Sequence, residues 1–177
     1  MSYFLLLKDR SKNKDRKFED TKFFEIDSIG ELNNIINNSI NEAAIEFAYQ
    51  GPLLKLNNGN INFAITGDVF FNIIRKDSKI EEGECYQNYT LYDGEQIDII
   101  STKKTVYGYL SVSGGFDIPQ VWGSYSVNTK AEVGPNNGKK FNVKDKILIK
   151  EKILKDIKFK KIDYEPNLDN IVRVIKG

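Results

Sequence analysis

Residues 108–140 form the segment richest in groups suited to binding a small molecule. An alternating apolar pattern ends in two glycines, and three polar side chains follow: Gly114, Gly115, Ser124, Ser126 and Asn128. Glycine allows positive φ angles and close backbone approach, and hydroxyls with exposed N–H groups make nests for carboxylates and other anions. The alternative is a surface loop that glycine and proline only shape. Because long loops are often functional, these five residues are candidates for substrate binding, and both alternatives stay open at this point.

A second candidate is the tripeptide Thr66-Gly67-Asp68, which follows an apolar strand pattern. The Asp68 carboxylate has three interpretations: a general base, a hydrogen-bond acceptor for an amide substrate, or the residue that closes an Asx turn. A hydroxyl and a backbone N–H, from Thr66 and Gly67, could hold substrate oxygens beside it. We therefore treat Asp68 as a candidate catalytic residue and the other two as candidate substrate-binding residues.

Glu46 is the third candidate, again catalytic. Strand alternation puts Glu46 on one face and Ile45 and Phe47 on the other. If the Ile45 face points to the core, Glu46 is a solvated side chain. If both faces are covered, Glu46 becomes a buried carboxylate that needs a partner, which is typical of functional sites. The sequence leaves both alternatives open.

The residue types that are missing exclude several kinds of chemistry. The chain has no histidine and one cysteine, Cys85. Ser–His and Cys–His nucleophile pairs, His-ligated zinc, and Cys-rich zinc or iron–sulfur sites within the chain are therefore excluded. No P-loop, dinucleotide-binding glycine fingerprint or EF-hand pattern occurs. We expect no metal site and no cofactor bound by this chain, so catalysis must use carboxylates, amides, hydroxyls, lysines, backbone N–H groups or a partner's residues.

Charge and length set the class of protein. The 177 residues carry 26 Lys and Arg against 25 Asp and Glu, a net charge of +1, which gives no electrostatic reason to bind nucleic acid or an anionic membrane. The apolar run at residues 3–7 is too short for a signal peptide or a membrane span. A single cysteine fits a reducing compartment, so we expect a cytoplasmic protein. The length favours one domain.

A period of two in the apolar residues after position 42 predicts many short strands, typical of an antiparallel barrel or sandwich. The candidate residues lie on or after the strands predicted at 43–49, 61–66 and 106–113, and further strands are predicted at 157–162 and 171–175. One helix is predicted from the capping signal Asp27-Ser28 to Asn37-Asn38, with a weaker helical turn at 150–155. Residues 8–17 are a charged run, expected to be a solvated loop.

The string from Tyr109 to Ser126, YLSVSGGFDIPQVWGSYS, closely resembles the signature YLAV-x-GG-[IF]-D-V-P-x-V-L-G-S-R-S-T. That signature belongs to the biotin-dependent carboxyltransferase family, also called the allophanate hydrolase subunit 2 or Kip-inhibitor antagonist family. Four more segments resemble the family in the expected order, so that the resemblance covers about residues 27–149. They are residues 33–38 (N-x-LVGN), residues 44–46 with Gly51-Pro52 (ALE…GP), residues 64–68 (AL-T-G-A), and Lys144-Asp145 before Ile147 (GD-x-L).

The resemblance implies a mainly β fold, a cyclophilin-like closed antiparallel β-barrel with one or two short helices. It also implies a homologous partner subunit. Known family contexts are the carboxyltransferase part of urea carboxylase, the bacterial ATP-dependent 5-oxoprolinase complex, in which the family supplies one of the subunits, and regulation of a kinase inhibitor. All are linked to small amide or carboxylate compounds, handled at sites that paired barrels shape.

The chain departs from the family pattern at three places. An N-terminal TVQD-x-GR-x-G signature is absent, the arginine of GSRST is Tyr125, and the arginine of GG-x-x-GR is Lys139. Two bidentate carboxylate-binding groups are thereby lost, because neither tyrosine nor lysine reproduces the guanidinium fork. The family is also longer, with a second barrel that opens in a strand like residues 171–177. We expect one barrel at residues 1–165 and the start of a second-barrel strand or an extension at 166–177, hence a one-barrel fragment or truncated product.

The function expected from this resemblance is that of a component of a hetero-oligomeric enzyme acting on small amides or carboxylates. A 5-oxoprolinase-type, ATP-dependent opening of a lactam is favoured. One alternative is carboxyl transfer from carboxybiotin to a urea-like nitrogen. A third hypothesis is a non-catalytic binding or regulatory module of the Kip-inhibitor antagonist type. In each case ATP or biotin would be held by partner subunits and not by this chain.

Overall fold

The computed structural model describes residues 1–9, 22–24, 30–150 and 158–163. These residues form eleven strands and one helix, with a 3₁₀ turn at Asn136–Gly138. The elements are β1 (Tyr3–Asp9), β2 (Lys22–Phe24), α1 (Gly30–Ile35), β3 (Ala44–Ala48), β4 (Pro52–Asn57), β5 (Ile61–Thr66), β6 (Val69–Ile74), β7 (Ile80–Gly83), β8 (Asn88–Leu91), β9 (Gln96–Thr102), β10 (Tyr107–Val112) and β11 (Lys146–Leu148).

The strands form two antiparallel sheets. One has six strands in the order β11-β1-β4-β9-β6-β7, and the other has five in the order β2-β3-β10-β5-β8. The predicted mainly β, antiparallel fold is therefore confirmed. Neither sheet closes on itself within the described ranges, so closure into a barrel stays a prediction.

Alternating side chains from both sheets build one apolar core. In β4, for example, Leu54 and Leu56 are buried while Leu53 and Lys55 are partly exposed. Each large apolar side chain that is fully removed from water contributes roughly 1.5–3 kcal/mol. Because successive side chains of a strand point to opposite faces, the period of two in the sequence marks which residues enter this core.

Strands β3 and β5 differ from this pattern because every residue in them is buried. Leu32 and Ile35 of α1, with Ile36 directly after the helix, pack on Ala44 and Ala64, on the face opposite the main core. The five-stranded sheet is thus covered on both faces where it carries Glu46 and Thr66. This arrangement decides between the two alternatives left open for Glu46.

The helix ends where the sequence predicts. Asn37 takes a positive φ of 55°, and the Asn38 N–H donates to the carbonyl of Asn33 at 2.8 Å. The predicted N-terminal cap at residues 27–28 and the weaker helical turn at 150–155 lie largely outside the described residues. No helix in the described ranges is both long enough and apolar enough to cross a membrane.

Three strands were not predicted: β1, β2 and β7. Strand β1 has a continuous apolar run and no alternation, and its pairing with β4 and β11 comes from distant residues. The charged run expected as a loop begins inside β1, at Lys8, and its remainder from residue 10 lies outside the described residues. Strand β7 is a charged edge strand whose position depends on the hairpin with β6.

The end of the described chain adds to the edge of the five-stranded sheet. Lys161 forms an isolated bridge with Gln87, and the Asn88 side chain holds the backbone of Lys158 and Lys160 at 3.1 and 2.8 Å. The predicted strand at 157–162 is therefore seen, in its described part, as a short bridged segment. The strand predicted at 171–175 and the extension at 166–177 lie outside the described residues.

Candidate functional site

Glu46, Tyr109 and Thr66 lie directly opposite one another on three adjacent strands. The register pairs Glu46 of β3 with Tyr109 of β10, and Tyr109 with Thr66 of β5. Directly opposed residues point to the same face of a sheet. Glu46 is only 4% exposed and Thr66 only 8%. The buried-carboxylate alternative for Glu46 is therefore the one observed, and a polar row crosses the sheet beside α1.

Asp68 holds the turn that leads into β10. Its carboxylate accepts the Lys104 N–H at 3.3 Å and lies 3.9 Å from the Lys103 ammonium. Its own N–H donates to the Thr105 hydroxyl at 3.1 Å. These contacts match the turn-closing interpretation of Asp68. The carboxylate is still about one third exposed, so a role toward a ligand stays a prediction.

Gly67 brings two backbones together. Its φ is +98°, and a Cβ there would lie 2.8 Å from the carbonyl oxygen of Tyr107. Its N–H donates to the hydroxyl of Tyr86 at 3.2 Å. The glycine is thus required by packing, and its N–H already has a protein partner.

Gly114 and Gly115 form a tight turn after β10, and both have positive φ angles, 88° and 85°. The Asn38 carboxamide bridges this turn: it accepts the Gly114 N–H at 2.8 Å and donates to the Val112 carbonyl at 2.7 Å. Asn33 is fully buried, and its carboxamide oxygen accepts the Ser111 hydroxyl at 2.9 Å. Residues 33–38 therefore fix the end of β10, which gives a physical reason for that segment of the resemblance.

A charged pair sits on this glycine turn. The Lys150 ammonium lies 2.8 Å from a carboxylate oxygen of Glu42, and the Lys150 N–H donates to the Gly115 carbonyl at 3.1 Å. Burial disfavours the charged ammonium, but the hydrogen bond and the charge of Glu42 outweigh it and raise the pKa of Lys150. Sequence reasoning missed both residues, because 108 positions separate them.

The loop beyond the glycines carries a two-residue hairpin. Val121 and Ser124 pair through two backbone hydrogen bonds, and the turn residues Trp122 and Gly123 have φ angles of 55° and 77°. Positive φ at both central positions is typical of a type I′ turn. The Trp122 side chain is 87% exposed at the tip. Phe116, Val127 and Phe141 anchor the loop in the main core on either side of this hairpin.

The predicted polar residues of this loop make local contacts. The Ser124 hydroxyl accepts the Ser126 N–H at 3.1 Å. The Asn128 carboxamide oxygen accepts the N–H groups of Lys130 and Ala131, both at 3.1 Å. These bonds shape the loop, and binding of a substrate by Ser124, Ser126 and Asn128 stays a prediction.

The two predicted walls of the pocket lie at opposite ends of one strand. Thr66 pairs with Tyr109 near the start of β10, whereas Gly114 lies two positions beyond its last residue, Val112. The five residue steps from Tyr109 to Gly114 correspond to about 16 Å of extended chain. The structure therefore groups Thr66, Gly67 and Asp68 at one end and the glycine loop at the other, and the described residues do not join them in one pocket.

A separate surface cavity of about 440 Å³ lies beside the β6–β7 hairpin. Arg75 in its wall bonds to Glu81 at 2.9 Å and to Glu95 at 3.0 Å. Burial disfavours its charge, yet the two carboxylates raise the pKa of Arg75. Two acidic partners already neutralise this guanidinium, which makes the cavity a poor site for an anion. Its remaining lining residues are Lys76, Asp77, Thr90 and Tyr92.

Comparison with known proteins assigns the chain to a family. Residues 27–177 match the family model described as carboxyltransferase domain, subdomain A and B. The chain belongs to this family. The resemblance seen in the sequence at residues 27–149 is thereby confirmed.

Relatives of this carboxyltransferase-domain protein are longer than it is. A 5-oxoprolinase subunit of Haemophilus influenzae is 30% identical over 115 residues, which make up 65% of this chain and 36% of that protein. Urea carboxylase of Kluyveromyces lactis shares the fold with a TM-score of 0.71 at 17% identity, over 83% of this chain and 14% of that one. The K. lactis urea amidolyase shares the fold with a TM-score of 0.72 at 18% identity, over 93% of this chain and 10% of that one.

Within this carboxyltransferase domain, the structure relates the missing arginine to a lysine elsewhere in the chain. Tyr125 stands where the family signature has arginine, and its ring centroid lies 5.7 Å from the Lys150 ammonium. That distance is within the range of a cation–π contact. A positive charge is thus present near position 125, but it comes from the segment after β11.

Proposed function

We propose that this chain is a component of a hetero-oligomeric enzyme that acts on small amides or carboxylates, most specifically a 5-oxoprolinase-type enzyme that opens a lactam with ATP. The observation that carries the proposal is the match of residues 27–177 to the carboxyltransferase domain, together with the relation to a subunit of the H. influenzae 5-oxoprolinase. The chain spans 36% of that relative, and we propose that it acts together with partner subunits.

In this proposal one partner is a homologous carboxyltransferase-family subunit, and ATP is bound by a partner subunit and not by this chain. The two antiparallel sheets would close into the cyclophilin-like barrel, with its start at residue 1 and its end near 165. The cytoplasm is the proposed compartment, where the single cysteine would stay reduced.

The proposed chemistry is the addition of water to a lactam carbonyl followed by cleavage of the C–N bond. A carboxylate, Glu46 or Asp68, would accept a proton from the water, and a proton would go to the leaving nitrogen. Hydroxyls and backbone N–H groups would hold the substrate oxygens. The proposed binding residues are Thr66, Gly67, Gly114, Gly115, Ser124, Ser126 and Asn128.

The proposed binding residues lie at two separate ends of β10. A small substrate cannot touch both ends of a strand segment about 16 Å long. The pocket would therefore lie at one end and be completed there by the partner subunit. The Thr66–Asp68 end, next to the buried Glu46 row, would supply a carboxylate, and the glycine-loop end would supply the lysine and glutamate described above.

The test is reconstitution with a homologous partner subunit and an ATP-binding subunit, assayed for ATP hydrolysis that depends on 5-oxoproline. Turnover that disappears when this chain is omitted supports the proposal. A stable complex without turnover contradicts it and favours the non-catalytic regulatory module. Glu46→Gln and Asp68→Asn, assayed in the same complex, assign the carboxylate.

A second candidate function is carboxyl transfer from carboxybiotin to a urea-like nitrogen. The fold shared with K. lactis urea carboxylase favours it. Affinity capture of the chain with its bound partners separates the two enzymes: a biotin-carrying partner supports carboxyl transfer, and capture of ATP-dependent partners without biotin supports lactam opening.

A further inference from the structure

Glu42 and Lys150 form a charged pair at the glycine-loop end of β10, away from Glu46 and Asp68. The ammonium and the carboxylate are 2.8 Å apart, with side chains 33% and 21% exposed. A ligand can therefore reach both groups, while part of each is shielded from water. Shielding strengthens hydrogen bonds to charged groups relative to those at a fully solvated surface.

The backbone holds both members of the pair in place. The Glu42 N–H donates to the Ser39 carbonyl at 3.1 Å, and the Asn33 carboxamide donates to the Glu42 carbonyl at 3.0 Å. On the other side, the Lys150 N–H donates to the Gly115 carbonyl. These bonds fix the backbones of both residues, and the ion pair itself restrains the two side chains, which reduces the entropy lost when a ligand binds.

Gly115 leaves the space that the carboxylate occupies. A Cβ at this position would lie 2.2 Å from the Glu42 carboxylate oxygen that bonds to Lys150. A side chain at position 115 would therefore push this carboxylate out of its observed position. The pair lies against the glycine turn of the loop that carries the family signature.

The donors and acceptors of the pair match one edge of a cis amide. An ammonium has three N–H donors, of which one points to Glu42, and a carboxylate has about four acceptor positions. A lactam holds its amide in the cis form, so that its carbonyl oxygen and its N–H lie on the same edge. An open-chain secondary amide is trans and presents these groups on opposite edges.

We propose that Lys150 and Glu42 form a binding site for small lactams and primary amides, in which Lys150 donates to the carbonyl oxygen and Glu42 accepts the N–H. The binding is noncovalent. The inference deepens the proposed function and rests on it for the substrate class. It places the amide at the glycine-loop end of β10, about 16 Å from the Thr66–Asp68 end. In this arrangement Glu42, and not Glu46 or Asp68, would be the carboxylate of this chain beside the amide, and Lys150 supplies a cation near Tyr125.

The experiment is a titration of the full chain, followed by the amide resonances of Gly114, Gly115 and Lys150. The probes are 2-pyrrolidone, N-methyl-2-pyrrolidone, which lacks the N–H, and N-methylacetamide, which is trans. We expect saturable shifts with 2-pyrrolidone and at least tenfold weaker binding of the other two. This ligand series needs no variant, so misfolding cannot obscure the result.

The variants Lys150→Met and Glu42→Met each remove one polar group and keep a flexible side chain. We expect each to weaken 2-pyrrolidone binding at least tenfold, the effect of losing one hydrogen bond to a charged group. The matched control is Lys161→Met. Lys161 pairs with Glu84 at 2.7 Å in a more exposed setting, with side chains 45% and 63% exposed, and its loss should leave binding unchanged.

Two outcomes overturn the proposal: no saturable shifts at the glycine turn, or equal binding of all three probes. Failure of the proposed enzymatic function gives a different result. If 2-pyrrolidone binding depends on Lys150, but the reconstituted complex does not turn over 5-oxoproline, the binding site is supported and the enzymatic function is contradicted. If the complex turns over 5-oxoproline and Lys150→Met changes neither 2-pyrrolidone binding nor KM, the binding site is contradicted and the enzymatic function is supported.

Discussion

The carboxamide of Asn38 holds the turn at Gly114 from 76 positions away. It accepts the Gly114 N–H at 2.8 Å and donates to the Val112 carbonyl at 2.7 Å. The end of α1 and the end of β10 are therefore joined by one side chain. This contact positions the glycine turn and, through Gly115, the pair of Glu42 and Lys150.

Replacing Asn38 by alanine is expected to destabilise the protein by about 1–3 kcal/mol, because a partly buried N–H and a carbonyl both lose their partner. The measurement is the free energy of unfolding in urea, with hydrogen exchange at the Gly114 amide as a local probe. Asn57→Ala is the control, since Asn57 makes one local bond at 3.3 Å. Equal losses of unfolding free energy in the two variants would show that the Asn38 bridge stabilises the protein no more than the local bond of Asn57 does.

Gly115→Ala is expected to cost more than Gly94→Ala. Both glycines have a φ of +85°, which strains alanine by roughly 1–2 kcal/mol. A Cβ at Gly94 meets nothing within 4 Å, whereas one at Gly115 meets the Glu42 carboxylate. The difference in unfolding free energy, expected to be at least about 1 kcal/mol, measures the displacement of Glu42 from Lys150. Identical losses would mean that Glu42 moves aside without consequence.

Variants of Asp68 distinguish a turn-closing role of this residue from a catalytic role. Asp68→Asn keeps an acceptor for the Lys104 N–H, so we expect stability within about 0.5 kcal/mol of the unmodified chain, while Asp68→Ala should lose about 1 kcal/mol. If Asp68 is the general base, Asp68→Asn lowers kcat of the reconstituted complex by roughly 10²–10⁴. Full activity of a stable Asp68→Asn complex would show that Asp68 closes the turn and is not the general base.

Trp122 is expected to contribute to binding and not to folding. Its side chain is 87% exposed at the tip of a hairpin, and exposed tryptophans are enriched among the residues that dominate interfaces. Trp122→Ala should change the unfolding free energy by less than about 0.5 kcal/mol. Because Trp122 is the single tryptophan, the tryptophan fluorescence of the chain comes from this position. Acrylamide should quench its fluorescence in the free chain and quench it less in the complex; unchanged quenching would place it outside the interface.

Cys85 is expected to react slowly. Burial raises the pKa of its thiol from 9.0 to about 11, so the thiolate fraction at pH 8 falls about 100-fold relative to the unfolded chain. Iodoacetamide should therefore modify the folded chain about 100-fold more slowly than the urea-unfolded chain. The raised pKa contributes stability that is complete below pH 9 and is lost as the pH rises toward 11. Similar alkylation rates in both states would contradict this burial.

The sequence by itself determined the family, the mainly β fold and most of the strands after residue 42. These follow from local information: alternation of apolar residues at a period of two, turn residues at fixed positions, and one long signature. Strand β5, at Ile61–Thr66, matches its predicted bounds. Strand β1 was missed because it is a continuous apolar run whose pairing depends on distant partners. Strand β7 was missed because it is a charged edge strand without apolar alternation, placed by its hairpin with β6.

Only the tertiary structure decided what the candidate residues contact. Glu46 is buried on a sheet face where α1 packs on the neighbouring Ala44 and Ala64, and alternation alone cannot show which faces a helix covers. The distance between Thr66 and Gly114 came from the register of β10 with β5. The pair of Glu42 and Lys150 depends on a contact across 108 positions, which neither residue's local sequence encodes. Residue types set the available chemistry, and long-range packing determines which of those groups meet.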